Sequence, residues 1–405
     1  MRIDINARPK AIEPAVNWIS GLIGSQLDQL VEKYAQQERN NPLLGTYFRE
    51  NFELEFALAK ARKYRRSRGR LPKGQEYDHL YGFLIAAQRV HAALPPEART
   101  PFEGRLRYAL SSEHGARPLA YEISIATHLM SRGWDVDFID YSGTGQFDFL
   151  ARLGSSEIEV ECKTTSGDTG RKIHRQELNR LADLLLPTTT ELVEEGGSHL
   201  IRITLPGRLE KTKEIISGIA SSVIDATRTR SGVSNDLSCV DYIVDDATTW
   251  PKLDDGRAVL DFFEKRFGVR NSHILFHGRP GAGIVAVMTT SAKADKVVDA
   301  IANEAKKAAK QCSGTRPAFV ALHLVDKISR PELEGMLKSR NGLHAIAHET
   351  FKEGRRAHID SIAFTLPQTS YKGAGATWLS GDVLRLDNPQ PQFDCPEIRS
   401  IFQAA

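Results

Sequence analysis

The chain has 405 residues, of which 41% are hydrophobic and 26% charged, with a formal net charge of +3. That length supports more than one packed region, since single cores seldom grow far past about 250 residues, and the composition excludes a disordered or low-complexity chain. So small a net charge leaves any nucleic-acid partner to local basic patches. Cys162, Cys239, Cys312 and Cys395 lie far apart with no CxxC pair, which speaks against a structural zinc site and a disulfide framework and fits a reducing cytoplasm.

The opening Met-Arg-Ile-Asp-Ile-Asn carries no basic segment followed by an apolar run, and nowhere do about 18 apolar residues stand together, so a cytoplasmic chain without a membrane span is expected. From Glu13 to about Leu110 apolar residues recur at helical spacing, as in Trp18, Leu22, Ile23, Leu27 and Leu30, and again in Phe52, Phe56 and Ala59. Residues 1–112 therefore read as a helical N-terminal region. Its basic run, with Arg62, Lys63, Arg65, Arg66, Arg68 and Arg70, suits either a solvated helix end or a patch that contacts phosphates without reading sequence.

Residues 113–206 alternate helix and strand. Pro118 suits a first helical position, Gly133 a C-terminal cap, and Leu119, Ile123, Ala126 and Met130 form the stripe between them. Trp134, Val136 and Phe138 then alternate with Asp135 and Asp137 as in a half-buried strand. A second strand is expected over Gln146 to Arg152, a turn over Leu153 to Ser156, and a third strand over Glu157 to Thr164. A helix with Leu178, Leu181, Ala182 and Leu185 follows, stopped by Pro187, and Leu200 to Leu205 reads as a fourth strand. Residues 207–405 read as further α/β material, either extending this core or forming a separate domain. Its expected elements are helices near Lys211 to Ile224 and Lys293 to Ala309, with strands near Tyr242, Ile284 to Met288, Phe319 to Val325 and Ile359 to Leu366.

Side chains alternate faces along a strand, so Glu159, Glu161 and Lys163 share one face and Ile158, Val160 and Cys162 the other. With that turn, Arg152 pairs with Glu157 and Asp148 falls opposite Glu161, at a Cβ separation of about 4.5–5.5 Å. Carboxylates so close need a cation between them or a proton on one of them. Mg²⁺ accepts one or two carboxylates and completes its shell with water and phosphate oxygens. Lys163 would orient an attacking water and offset charge growing on phosphorus. Glu122, at the edge of the buried face of its helix, needs a partner too, either the metal's water shell or an arginine or backbone contact.

A helix with Glu122, a strand, Asp148, a hairpin, Glu161-Cys162-Lys163, a helix and a strand together resemble the core of the PD-(D/E)XK nuclease superfamily, the restriction-endonuclease-like fold. The resemblance covers roughly Arg117 to Pro206 and departs from the motif in having Phe147 before Asp148 where a proline is usual. It implies an α/β fold with a mixed central sheet flanked by helices, and Mg²⁺, replaceable by Mn²⁺, held by Asp148, Glu161, the Cys162 carbonyl and Glu122. It further implies Lys163 as catalytic lysine, Glu122 as auxiliary acid and Gln176 as a polar helper. A DNA-cleaving enzyme is then expected, in a restriction, repair or anti-phage setting, as a homo-oligomer or with a partner protein. The alternative is a nucleic-acid-binding or scaffold subunit that keeps the fold without turnover.

Simpler readings stand beside these. A hairpin with Glu157, Glu159, Glu161 and Lys163 on a solvated face shows the same alternation, and Glu159 could ligate in place of Glu161. His344 and His348 at i, i+4 lack the intervening acid of a zinc helix, and Gly278 to Gly283 lacks the lysine and hydroxyl of a phosphate loop, so surface or core histidines and a turn are expected there.

Overall fold

A computed structural model describes residues 2–3, 9–141, 145–250, 256–269, 272–278, 282–324, 336, 342–352, 356–366, 369–373, 376–380 and 383–401. After the two-residue strand β1 (Arg2–Ile3) come seven helices: α1 (Pro9–Ile23), α2 (Gln26–Asn40), α3 (Tyr47–Asn51), α4 (Glu53–Arg68), α5 (Asp78–Ala93), α6 (Pro96–Ser111) and α7 (Arg117–Ser131). Their punctuation is chemical. α4 stops at Gly69, whose φ of 66° is the left-handed cap conformation, and α7 starts with Pro118 in its first turn and is followed by Gly133 at φ 85°. Apolar rows hold the helices together: α1 packs on α5 and α5 on α7 through fully buried Ile19, Leu84, Leu80 and Ile125.

Strand β2 (Asp135–Phe138) then leads through one helical turn (Ile139–Tyr141) towards β3 (Phe149–Leu153) and β4 (Ser156–Thr165). The hairpin register is Arg152↔Glu157 and Phe149↔Val160, closed by Leu153↔Ser156 with Gly154 at φ 59° in the turn. β3 starts at Phe149, three residues later than the alternation suggests, so Asp148 stands just outside the ladder. β4 is not an outer strand with a wet face. Its other neighbour is β10 (Ala318–Leu324), parallel and paired Val320↔Glu161, and Glu159 and Glu161 are both fully buried.

Parallel neighbours need a long crossover, and here the chain makes a detour through a second unit. The first unit comprises Met1–Glu32, Asn51–Thr169 and Val298–Ala405, and the second comprises Lys33–Glu50 and Gly170–Val297. Both are thus assembled from separated stretches, which cuts across the three-part division read from the sequence. The second unit contains α8 (Arg175–Glu195), β5 (Ser198–Leu205), α9 (Lys213–Thr229), β6 (Val233–Ser234), β7 (Cys239–Asp245), α10 (Gly256–Phe267), β8 (His273–Gly278) and β9 (Ile284–Ser291). Its mixed sheet runs β6-β7-β5-β9-β8. The helix and strand expected to follow the hairpin in one core, α8 and β5, therefore belong to another sheet. Pro187 does not stop α8 either: the helix runs on for eight residues because Leu185, Thr189, Leu192 and Val193 stay buried on both sides of the proline.

The crossover into β10 is made by α11 (Val297–Gln311), and the first unit is completed by α12 (Leu343–Lys352), β11 (Ile359–Thr365), β12 (Thr369–Gly373), β13 (Ala376–Ser380), β14 (Val383–Asp387) and α13 (Pro396–Ser400). Its six-stranded sheet has the order β14-β11-β10-β4-β3-β2, with β4, β10 and β11 parallel and the rest antiparallel, and a small sheet runs β1-β13-β12. The chain is thus α/β with mixed sheets. No described helix is long and apolar enough to cross a membrane.

Candidate active site

Beyond the pair Phe149↔Val160 the antiparallel ladder ends and side chains continue it. Asp148 takes the place of a ladder carbonyl: its Oδ2 accepts from the Cys162 N–H at 2.6 Å, while the Asp148 N–H donates to Glu161 Oε2 at 3.2 Å. Asp148 thus lies beside Glu161, one residue beyond the last ladder pair, tied to it by its main-chain N–H and to Cys162 by its carboxylate. In a strand the N–H and C=O of one residue face the same neighbour, so the Cys162 carbonyl is directed to the Asp148 side as well. Lys163, two residues on, donates its Nζ proton to Glu161 Oε1 and is only partly shielded, with its side chain 25% exposed.

Glu122 comes from α7. Both of its oxygens are held by Arg105 of α6, at 2.8 and 2.7 Å, and the same guanidinium reaches Asp140 at 3.0 Å and lies over the Tyr141 ring. An arginine contact, one of the two partners expected for Glu122, is therefore present. Arg105 and Asp140 were not foreseen from sequence. Arg105 is one charge in an amphipathic helix whose partner lies 17 residues on, with no local spacing to mark it. Asp140 lies two residues after β2, in the helical turn Ile139–Tyr141, and that position is the available hint.

Crowding shows in the electrostatics. Burial, then the charge of Asp148, pushes Glu122 up to about 8 against the pull of Arg105. Burial, then Asp148, likewise raises Glu161 to about 8 although Lys163 opposes the shift. Asp148 is raised to about 6 by burial, less than the others because the Cys162 N–H favours its charged form. For Lys163 burial works downward, but the bond to Glu161 and the charges of Glu161 and Asp148 outweigh it and hold the ammonium above its ordinary value. Glu122, Asp148 and Glu161 each carry a raised proton affinity, and Glu122 feels both of the others.

Among the described residues no group of three or more His, Cys, Asp or Glu side chains is arranged to hold a metal ion. The carboxyls are turned to Arg105, Lys163 and main-chain N–H groups. The donor chemistry nonetheless fits a hard cation: three carboxyls and a carbonyl, all oxygen, in a corner where their charges repel. Glu159, the competitor on the same face, is committed elsewhere. It accepts from the Ser313 N–H at 2.6 Å and from the Ser313 hydroxyl, with Arg316 at 3.5 Å.

The remaining candidates fall apart from this corner. Gln176 sits in the first turn of α8 in the second unit, so it is not among the groups gathered in the first unit. In the basic run, Arg62 donates to the Gly24 carbonyl at 2.8 Å and faces Asp28, and Arg65 binds Asn17 and Glu13, so both staple α4 to the helices before it. Lys63, Arg66, Arg68 and Arg70 are exposed, Arg66 with Asp28 at 3.5 Å. His344 and His348 are surface residues of α12. Of Gly278 to Gly283, between β8 and β9, residues 279–281 lie outside the described residues. All four cysteines are free. Compared with known protein families, with curated proteins and with solved structures, the chain matches none.

Proposed function

We propose that this chain is a Mg²⁺-dependent nuclease that hydrolyses phosphodiester bonds in DNA, and that its first unit is a restriction-endonuclease-like core. Three carboxyls, an ammonium and a main-chain carbonyl meet where β3 begins, and that convergence carries the proposal. Asp148, Glu161 and the Cys162 carbonyl would hold Mg²⁺ or Mn²⁺, with Glu122 on the water side. When bound, the ion would polarise a phosphodiester oxygen and lower the pKa of a water molecule.

The chain's own groups do the rest. The Asp148 carboxylate is held by the Cys162 N–H and the Glu161 carboxylate by the Asp148 N–H, so little reorganisation is needed on binding substrate. Lys163 keeps its proton through Glu161 and acts as a donor, able to hold a phosphate oxygen and offset charge on it. Arg105 positions Glu122 without touching the phosphate. Exposed Lys63, Arg68 and Arg70 would supply salt-sensitive contacts to the nucleic-acid backbone. Restriction, repair or anti-phage defence is the setting that fold analogy suggests for such an enzyme.

The test is cleavage of circular, linear and single-stranded DNA with and without Mg²⁺. Metal-dependent cleavage should fall at least about a hundredfold in Asp148→Asn and in Lys163→Met. Equal activity in parent and variants would remove these residues from the reaction. The clamp of Arg105 on Glu122 favours a second reading, a subunit that binds nucleic acid without turnover. Salt-dependent DNA binding with no cleavage of any substrate would select it.

A further inference from the structure

Next to Asp148, on the sheet face that carries Glu159 and Glu161, lies a cavity of about 620 Å³. That size falls in the range of small-ligand sites, roughly 300–1,000 Å³. Phe147 and Leu150, the residues flanking the Asp148–Phe149 pair, line it, and Ile139 completes an apolar side. Arg152, Lys310 and Arg316 also line it; Arg152 is paired with Asp137 and Glu157, and Arg316 with Glu157 at 3.0 Å and Glu159 at 3.5 Å. Gln146 and Gln311 close the wall, tied by a bond from the Gln311 amide to the Gln146 carbonyl at 2.8 Å.

The cationic rim is built and not incidental. Glu159, fully buried beneath it, holds Ser313 through two bonds and draws in Arg316, while Arg152 is braced by Glu157 at 2.8 Å. Lys310 stays exposed at the mouth. Gly145 is required where the chain enters, because a Cβ there would meet the Ile139 side chain at 2.8 Å and the Phe147 ring at 3.1 Å.

A ligand for such a space needs a flat apolar body, edges that exchange hydrogen bonds with amides, and negative charge at one end. We propose that the cavity receives one unpaired nucleotide beside the scissile phosphodiester, with its base against Phe147 and Leu150 and its phosphate at Lys310 and Arg316. This deepens the nuclease reading and rests on it. One two-residue step of extended chain at the start of β3 separates Asp148 from Leu150, about 7 Å, comparable with one nucleotide of an extended strand. A base still paired in a duplex carries a backbone on either side and does not enter a pocket, so the substrate is single-stranded, or has a base displaced from its stack.

The test is fluorescence anisotropy with fluorescein-labelled oligothymidylate, oligouridylate and a blunt duplex, in Ca²⁺, on the full chain. The parent should bind both single-stranded oligomers more tightly than the duplex. Phe147→Ala and Lys310→Glu should each weaken oligomer binding about tenfold, the scale of losing one stacked base. Gln311→Trp, which fills the cavity from its wall, should do the same and serves if Phe147→Ala does not fold. Duplex preference by the parent, or unchanged oligomer affinity in Lys310→Glu and Gln311→Trp, overturns the proposal. Cavity-dependent oligomer binding without metal-dependent cleavage would support the cavity and remove the nuclease reading. Cleavage that requires Asp148 but ignores the cavity variants would do the reverse.

Discussion

Glu55 offers the clearest quantitative consequence of the fold. It lies in the first turn of α4, 1% exposed, and its Oε1 accepts from the Ala116 N–H at 2.6 Å at the start of α7, the helix that carries Glu122. Burial raises its carboxyl from 4.5 to about 7, against the opposing effect of main-chain hydrogen bonds. The folded state therefore keeps a proton that the unfolded chain releases near 4.5. Stability from this group is fully present below 4.5, declines as pH rises, and is gone above about 7. A displacement of that size corresponds to about 3 kcal/mol. Glu55→Gln keeps an acceptor for Ala116 and removes the titration. Urea unfolding of parent and variant from pH 4.5 to 8 should give nearly equal stabilities at the acid end and a variant more stable by about 3 kcal/mol at pH 8. Other raised carboxyls tilt both curves alike, so the difference isolates this one. A difference that does not change with pH would refute the assignment.

Other consequences are simpler to read. Arg105→Met leaves Glu122 buried beside Asp148 and Asp140 without its cation and should cost about 2–3 kcal/mol in denaturant unfolding, less than a fully buried pair because the arginine is partly exposed; unchanged stability would show the pair to be incidental. Glu159→Gln weakens the acceptor for Ser313 and Arg316 and should lower the unfolding free energy by about 1–3 kcal/mol at neutral pH, measured by the same method. Pro187→Ala restores a helix donor inside α8, where a proline costs up to about 3 kcal/mol, and should raise the urea midpoint; a lower midpoint would mean that the surrounding packing has been shaped to the ring.

How far the sequence reaches is set by the range of the interactions. The register that places Asp148 beside Glu161 is a local matter of alternation and a two-residue turn, and it is legible from Phe149 to Val160. The elements of the C-terminal half are legible for the same reason: apolar periodicity marks α9, α11, β9, β10 and β11 near their observed bounds. Periodicity says that a face is buried, but not against which sheet. α8 and β5 look like the continuation of the hairpin, yet they serve the second unit, and the strand that flanks β4 arrives more than 150 residues later, Val320 opposite Glu161. Glu159 illustrates the same limit. Its alternating neighbours suggest a wet face, and only Ser313 and Arg316, far along the chain, make its burial tolerable. Pro187 misleads because helix propensity is a local cost that tertiary packing can exceed.

The most direct measurement is calorimetric titration of Mn²⁺ into the parent chain and into Asp148→Asn and Glu161→Gln. Binding of an ion that is lost or at least about tenfold weaker in both variants is expected if these carboxyls share a cation. An affinity that is the same in all three proteins, or no binding by the parent, would contradict a metal-dependent site at the start of β3.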